Sequence, residues 1–375
     1  MANSRLFQPV QIGNMTLPHR IAMAPLTRYR ADGTHTPTAL QLEYYAQRAS
    51  VPGTLLITEG TFISARAGGY RNVPGIYTPA QIAAWRDITK AVHARGGYIV
   101  SQLWALGRSA RADVAKEEGI PIKSSSAVPV DDTYAVPSAL SEEEIQEFIA
   151  DYATAARNAI DAGFDAVEIH GANGYLVDQF LQESVNQRTD GYGGSIERRS
   201  RFAVEVVDAV VAAVGAERTA IRLSPFSNFQ NMRVADPVPQ FRDAVRKIGR
   251  HGLAYIHLVQ PSIAGNQVQA AGAQDSLDFV FEEWKGPVLI AGGLDAEAAF
   301  KLVDEEYPAR EVVAVFGRYF ISTPDLPFRV REGIPLNTPD ASTFYFRGSP
   351  KGYIDQPFSK EFETRYGTQP PQANL

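Results

Sequence analysis

Short apolar runs separated by long amphipathic stretches repeat along this chain. The runs fall at Ile21–Ala24, Leu55–Thr58, Tyr98–Leu103, Ala166–Ile169, Ala220–Leu223, Tyr255–Val259, Val288–Ala291 and Val312–Phe316. Each is brief and rich in Val, Ile, Leu and Ala, the texture of parallel strands covered on both faces. The stretches between them carry helix punctuation. Thr78 is placed to cap a helix that starts at Pro79 and stops by Gly96. Ser141 and Glu144 have capping-box spacing, and Ile145, Phe148, Ile149, Tyr152 and Ala156 then share one face until Gly163. Further helices are predicted over Ser195–Val214, Val238–Arg250, Ser276–Trp284, Ala296–Glu306 and Asp325–Glu332.

Eight strands alternating with helices predict an α/β fold, a (β/α)8 TIM barrel, over residues 1–375 as a single domain. A doubly wound sheet would want a glycine-rich dinucleotide loop after its first strand. Here that strand runs into Ala24-Pro25-Leu26-Thr27-Arg28. Two segments exceed the barrel minimum. Phe7–Leu17 alternates around Gly13-Asn14 and predicts an N-terminal hairpin closing the bottom of the barrel. Gly107–Ala139, after strand three, is rich in Pro, Ser and Asp and predicts a capping insertion beside the active face.

Composition narrows the chemistry. The net charge is -6 over 375 residues, which argues against a nucleic-acid partner. The chain has no cysteine, so disulfides, thiolate zinc and cysteine-ligated iron–sulfur clusters are excluded, and no metal is expected. No apolar core of signal-peptide length follows Met1, and no uncharged run reaches the roughly 18 residues of a membrane span. A cytoplasmic protein with no membrane association, monomer or homodimer, is the expectation.

Barrel enzymes build their sites at the C-terminal ends of the strands. After strand four comes His170-Gly171-Ala172-Asn173-Gly174-Tyr175. A His and an Asn three apart on a glycine-bearing turn can aim two donors at one oxygen, with Tyr175 as a proton donor. A histidine at a strand end can equally satisfy backbone. Strand five carries Arg222 and strand three Gln102; each needs polar partners, either a core network or a ligand. Strand seven ends in Gly292-Gly293 and strand eight in Gly317-Arg318, the two places where a barrel often holds phosphate. A phosphorylated, partly anionic cofactor fits this set, and flavin mononucleotide (FMN) is such a molecule.

The chain resembles the old yellow enzyme family of FMN-dependent ene-reductases. The motifs that carry the resemblance are Ala24–Arg28 (APLTR), Gln102–Trp104 (QLW), His170–Phe180 (HGANGYLVDQF), Arg188–Ile196 (RTDGYGGSI), Arg222–Pro225 (RLSP) and Phe316–Leu326 (FGRYFISTPDL). They span nearly the whole chain in family order, and the texture is closest to fungal members, some of which act in alkaloid pathways. A second branch has Cys where this chain has Thr27, which places it outside that branch.

The resemblance implies roles. Pro25, Leu26, Thr27, Gly60 and Gln102 would hold the flavin ring, with Thr27 tuning its potential. Arg222 would stabilise negative charge on the pyrimidine side. Gly292, Gly293, Gly317 and Arg318 would take the phosphate. His170 and Asn173 would bind the substrate oxygen and Tyr175 would protonate its α-carbon. Tyr345, Trp104 and Tyr70 would wall the pocket. The implied reductant is NADPH and the implied substrate an α,β-unsaturated aldehyde or ketone. Arg188–Ile196 is expected to be structural, with Arg188 and Asp190 paired.

Other barrel chemistries lack an essential group. Strand one offers no His pair for a hydrolytic metal, and no predicted strand has a lysine for a Schiff base. Glu59 and Glu168 are the carboxylates a glycosidase reading would need, but strand seven ends in Gly-Gly. A non-catalytic flavin store would not need His170, Asn173 and Tyr175 together.

Overall fold

The computed structural model describes residues 4–265, 267–272 and 274–367. Eight parallel strands close on themselves: β1 (Ile21–Met23), β2 (Leu55–Ile57), β3 (Tyr98–Trp104), β4 (Ala166–Gly171), β5 (Thr219–Leu223), β6 (Tyr255–Val259), β7 (Val288–Ala291) and β8 (Val312–Phe316). Each pairs with the next, and β8 pairs back to β1 through Ala314–Ile21, Val315–Ala22 and Phe316–Met23. The predicted strands sit within a residue or two of these. One shift matters: β4 runs on through His170 to Gly171, so His170 is held by the sheet itself.

Outside lie α1 (Ala39–Arg48), α2 (Pro79–His93), α3 (Glu142–Asp161), α4 (Ile196–Val214), α5 (Val238–Gly249), α6 (Asp278–Glu283), α7 (Ala296–Lys301) and α8 (Leu326–Glu332). Their ends are chemically fixed. Gln81 N–H donates to the Thr78 hydroxyl and Pro79 opens α2. Glu144 N–H donates to Ser141 while Ser141 N–H donates back to the Glu144 carboxylate. The expected helix 296–306 is shorter: α7 stops at Lys301 and a π-helical turn covers Leu302–Glu306. Helix α1 was not predicted. Its buried face includes Gln41 and Arg48 beside Tyr44 and Tyr45, so polar residues interrupt the apolar stripe that would reveal it.

The hairpin pairs Val10–Ile12 with Met15–Leu17. Val10, Ile12, Met15 and Leu17 pack with Ala22, Leu55, Val100, Ala166, Ala220 and Leu289, sealing the N-terminal end of the barrel. At its turn Gly13 has φ +53, and a Cβ there would lie 2.1 Å from the Glu217 carbonyl. Residues 107–139 form a short helix, Ala112–Glu118, and a two-stranded ribbon of Lys123–Ser124 with Ser138–Ala139. The chain then ends in a tail beyond α8 with a helix at Lys360–Tyr366. Among the described residues no helix is long and apolar enough to cross a membrane.

Candidate active site

The His170 turn is built by backbone demands. Asn173 takes φ +57 and Gly174 φ +76. The Asn173 N–H donates to Ser224 Oγ at 2.7 Å, which ties the turn to the RLSP loop after β5. Behind it the short helix Leu176–Leu181 supplies Asp178, which accepts Gly174 N–H at 2.8 Å. Gln179 Nε2 donates to Leu106 O and Gly174 O, fixing the turn to the start of the cap.

These contacts gather His170, Tyr175, Trp104 and Tyr70 into one aromatic cage. Trp104 and His170 lie roughly parallel with centroids 5.9 Å apart. Tyr175 stands edge-on to both, at 4.7 Å from Trp104 and 4.9 Å from His170. Tyr70 meets Trp104 at 5.8 Å. Gly60 explains itself here: a Cβ would lie 2.4 Å from Trp104 Cε3. Tyr345 joins at the rim, 48% exposed, through Tyr29 at 5.7 Å.

Protonation states follow from burial. Burial, then the charge of Arg222 and the neighbouring His257, push the His170 imidazole well below its ordinary range. It is neutral, and Ala172 N–H donates to its Nδ1 at 3.4 Å, which leaves the proton on Nε2. Burial, reinforced by Tyr70 and Tyr29, pushes the Tyr175 phenol well above 10, so it keeps its proton. The Asn173 Oδ1 is buried without a partner among the described residues.

A polar layer lies on the neighbouring strands. Arg222 is level with His170 on one side and His257 on the other. Its Nε is buried and unpartnered among the described residues. Gln102 N–H donates to Thr58 and its Nε2 to Glu168. At the end of β7, Gly292 and Gly293 have φ +152 and +66. Arg318 opens the short helix Arg318–Ser322 and its side chain is exposed. A Cβ at Gly317 would meet only Leu26, at 3.8 Å, so this backbone is open to close approach. Pro25, Leu26 and Thr27 are half-buried at the end of β1.

Residues 5–337 match the model of the NADH:flavin oxidoreductase / NADH oxidase family. An old yellow enzyme from Pichia sp. AKU4542 superposes with a TM-score of 0.89 at 38% identity, over 96% of this chain and 95% of that one. This chain belongs to the old yellow enzyme family. It is also 56% identical to the chanoclavine-I aldehyde reductase fgaOx3 of Penicillium roqueforti, over 96% of this chain and 98% of that relative. Morphinone reductase in complex with tetrahydroNAD matches with a TM-score of 0.87 and 40% identity, covering 96% and 98% of the two chains. The family is one of oxidoreductases that use FMN and a nicotinamide reductant. The unpartnered Arg222 Nε, the Gly292-Gly293 turn after β7 and the open backbone at Gly317 after β8 fit that cofactor.

Two groups of residues escaped the sequence reading. Tyr29 and Tyr134 are close enough to act on Tyr175 electrostatically. Tyr29 follows directly on the APLTR motif at a strand end, a position that could have drawn notice; Tyr134, inside the cap, follows no pattern. The second group is Arg28, Arg30 and Arg48, all fully buried beneath the tail. In the Arg188–Ile196 segment the expected Arg188–Asp190 pair is present. Arg188 pairs with Asp190 at 2.5 Å and donates to the Ser125 and Leu140 carbonyls, pinning the cap. Glu59 and Glu168 are each engaged in separate networks, with Gln41 and Arg28 N–H for one and Gln102, Tyr255 and His257 for the other.

Proposed function

We propose that this chain is an NADPH-oxidising ene-reductase that saturates the C=C bond of an α,β-unsaturated aldehyde or ketone. The observation that carries this reading is the convergence of a neutral His170, Asn173 on the same turn and a protonated Tyr175 beside Arg222 and Gln102. Pro25, Leu26, Thr27, Gly60, Gln102 and Arg222 would hold the FMN ring. Gly292, Gly293, Gly317 and Arg318 would hold its phosphate. FMN, when bound, would supply the hydride-transfer chemistry between NADPH and the β-carbon.

The protein's own groups do the rest. His170 Nε2–H and the Asn173 amide donate to the substrate oxygen and draw electron density from the β-carbon. Tyr175 Oη gives its proton to the α-carbon and regains one from solvent. Trp104, Tyr70 and Tyr345 wall the pocket and restrict the pose. The 56% identity to a chanoclavine-I aldehyde reductase supports a narrower substrate class, an unsaturated aldehyde of an alkaloid pathway. Tyr175 as proton donor favours net reduction over isomerisation.

Stopped-flow kinetics of Tyr175→Phe tests the mechanism. Flavin reduction by NADPH should proceed as in the wild type, while alkene reduction slows by about 10²- to 10⁴-fold, the usual worth of a positioned acid. Equal slowing of both half-reactions would sink the assignment.

A further inference from the structure

The barrel interior holds a buried carboxylate that the chemistry above does not use. Glu168 is wholly buried in β4. Its Oε1 accepts from Gln102 Nε2 at 2.8 Å. Its Oε2 accepts from the Tyr255 hydroxyl at 3.0 Å and from His257 Nδ1 at 2.8 Å. Burial alone would raise the carboxyl, but His257, Arg222 and Gln102 together hold it below its ordinary range. Burial lowers His257, which is neutral and donates its Nδ1–H. The layer therefore holds one positive group, Arg222, and one negative group, Glu168.

Two consequences follow. An ionised carboxylate only accepts, so the Gln102 amide must present its NH₂ to Glu168 and its carbonyl oxygen elsewhere. And Arg222 makes no close ion pair with Glu168, so the carboxylate screens the guanidinium from a distance while its Nε is unpartnered among the described residues. In so dry a setting that charge is felt strongly.

We propose that Glu168 is a positioning residue that lowers the reduction potential of the bound FMN, by offsetting the charge of Arg222 and by turning the oxygen of Gln102 toward the ring. This rests on the assignment of Gln102 and Arg222 to the flavin. Thr27 lies on β1's loop, across the barrel, so the two influences are separable by mutation.

The test is the midpoint potential of FMN in the holoprotein, measured anaerobically against a reference dye. Glu168→Gln keeps the shape, and its oxygen still accepts from Gln102 while His257 switches tautomer. Its FMN should be reduced more readily, by about tenfold in the two-electron equilibrium or about 30 mV. Tyr255→Phe removes one donor that disperses the carboxylate's charge, so its potential should move the opposite way and by less. A Glu168→Gln potential that is unchanged or more negative overturns the proposal. If that variant does not fold, Tyr255→Phe decides: a potential unmoved or raised overturns it. A wild-type protein that retains no FMN would instead sink the cofactor assignments on which this rests.

Discussion

Replacing Arg30 by Met should loosen one wall of the pocket from beneath. Arg30 is fully buried and donates to five carbonyls: Arg28, Thr343, Phe344, Ser349 and Lys351, at 2.5 to 3.3 Å. Its guanidinium also stacks 4.7 Å from the Tyr353 ring centroid. The methionine fills similar volume but supplies no donor. Phe344 O keeps the Arg28 Nε at 2.9 Å, so its loss is partial. Ser349 and Lys351 sit near the surface and can find water. Thr343 O still accepts from the Phe346 N–H at 3.4 Å. That leaves Arg28 O as the costly orphan, at about 1–3 kcal/mol. A loss of about 2 kcal/mol in all is expected, below the range for breaking a buried ion pair. Arg28 and Arg48 still hold Gly352 and Tyr353, so the cost should fall on residues 343–351 and not on the barrel. That segment carries Tyr345. Limited proteolysis should therefore cut the tail sooner, and titration with a phenol should show weaker binding, roughly tenfold for about 1.4 kcal/mol. FMN content is the control and should not change. Faster tail cleavage with undiminished phenol affinity would refute the link between the arginines and the pocket.

Three further outcomes follow from the same geometry. His170 titrates well below its usual pKa and Tyr175 well above, so neither changes charge near neutrality. The alkene half-reaction should be flat between about pH 7 and 9, where an unperturbed tyrosine near 10 would already begin to bend it; a limb inside that window contradicts these protonation states. Gly60→Ala sets a Cβ 2.4 Å from the Trp104 ring, which Phe62, Tyr70 and Tyr175 prevent from retreating. Overpacking should cost about 1–3 kcal/mol and shift tryptophan emission, and an unchanged melting temperature would count against it. His170→Ala with Asn173→Ala should abolish the spectral change of the bound flavin on adding a phenol; an intact titration would remove both residues from the oxygen site.

The sequence made the strands legible because a doubly covered strand has no polar face to confuse the reading. It made the helix starts legible because Thr78, Ser141 and Ser195 each place a hydroxyl three residues before an N–H that needs one. Helix α1 was hidden for the reverse reason: Gln41 and Arg48 face inward to serve Glu59 and the carbonyls of Phe320 and Ile321. The His170 turn, Arg222 and Gln102 were legible as candidates since polar groups in barrel strands are expensive. Tyr134 and the tail arginines were not, because their partners lie up to 324 residues away in the chain and no local spacing records such a meeting.

The inward face of the barrel carries a gradient that ties these observations together. Residues two apart on a strand share a face. Climbing β3, that face reads Val100 then Gln102; β4 reads Ala166, Glu168, His170; β5 reads Ala220 then Arg222; β6 reads Tyr255 then His257. The lower members pack with the hairpin, and above them Gln102, Glu168 and His257 form a hydrogen-bonded network that the Tyr255 hydroxyl joins from below. On the other four strands the change does not occur: Ala22 leads to Ala24, Leu55 to Ile57, Leu289 to Ala291 and Val313 to Val315. So the polar groups occupy one half of the upper barrel, and small apolar groups the other. Burying two opposite charges such as Arg222 and Glu168, which are not in direct contact, is seldom more stabilising than the apolar residues that could replace them. Repeating that cost across four adjacent strands is hard to explain by packing. It fits a flat ligand with one hydrogen-bonding edge and one hydrocarbon edge, which is the shape of the flavin ring. The same half holds His170 and Tyr175, so the substrate's oxygen and its proton donor are expected over the hydrogen-bonding edge.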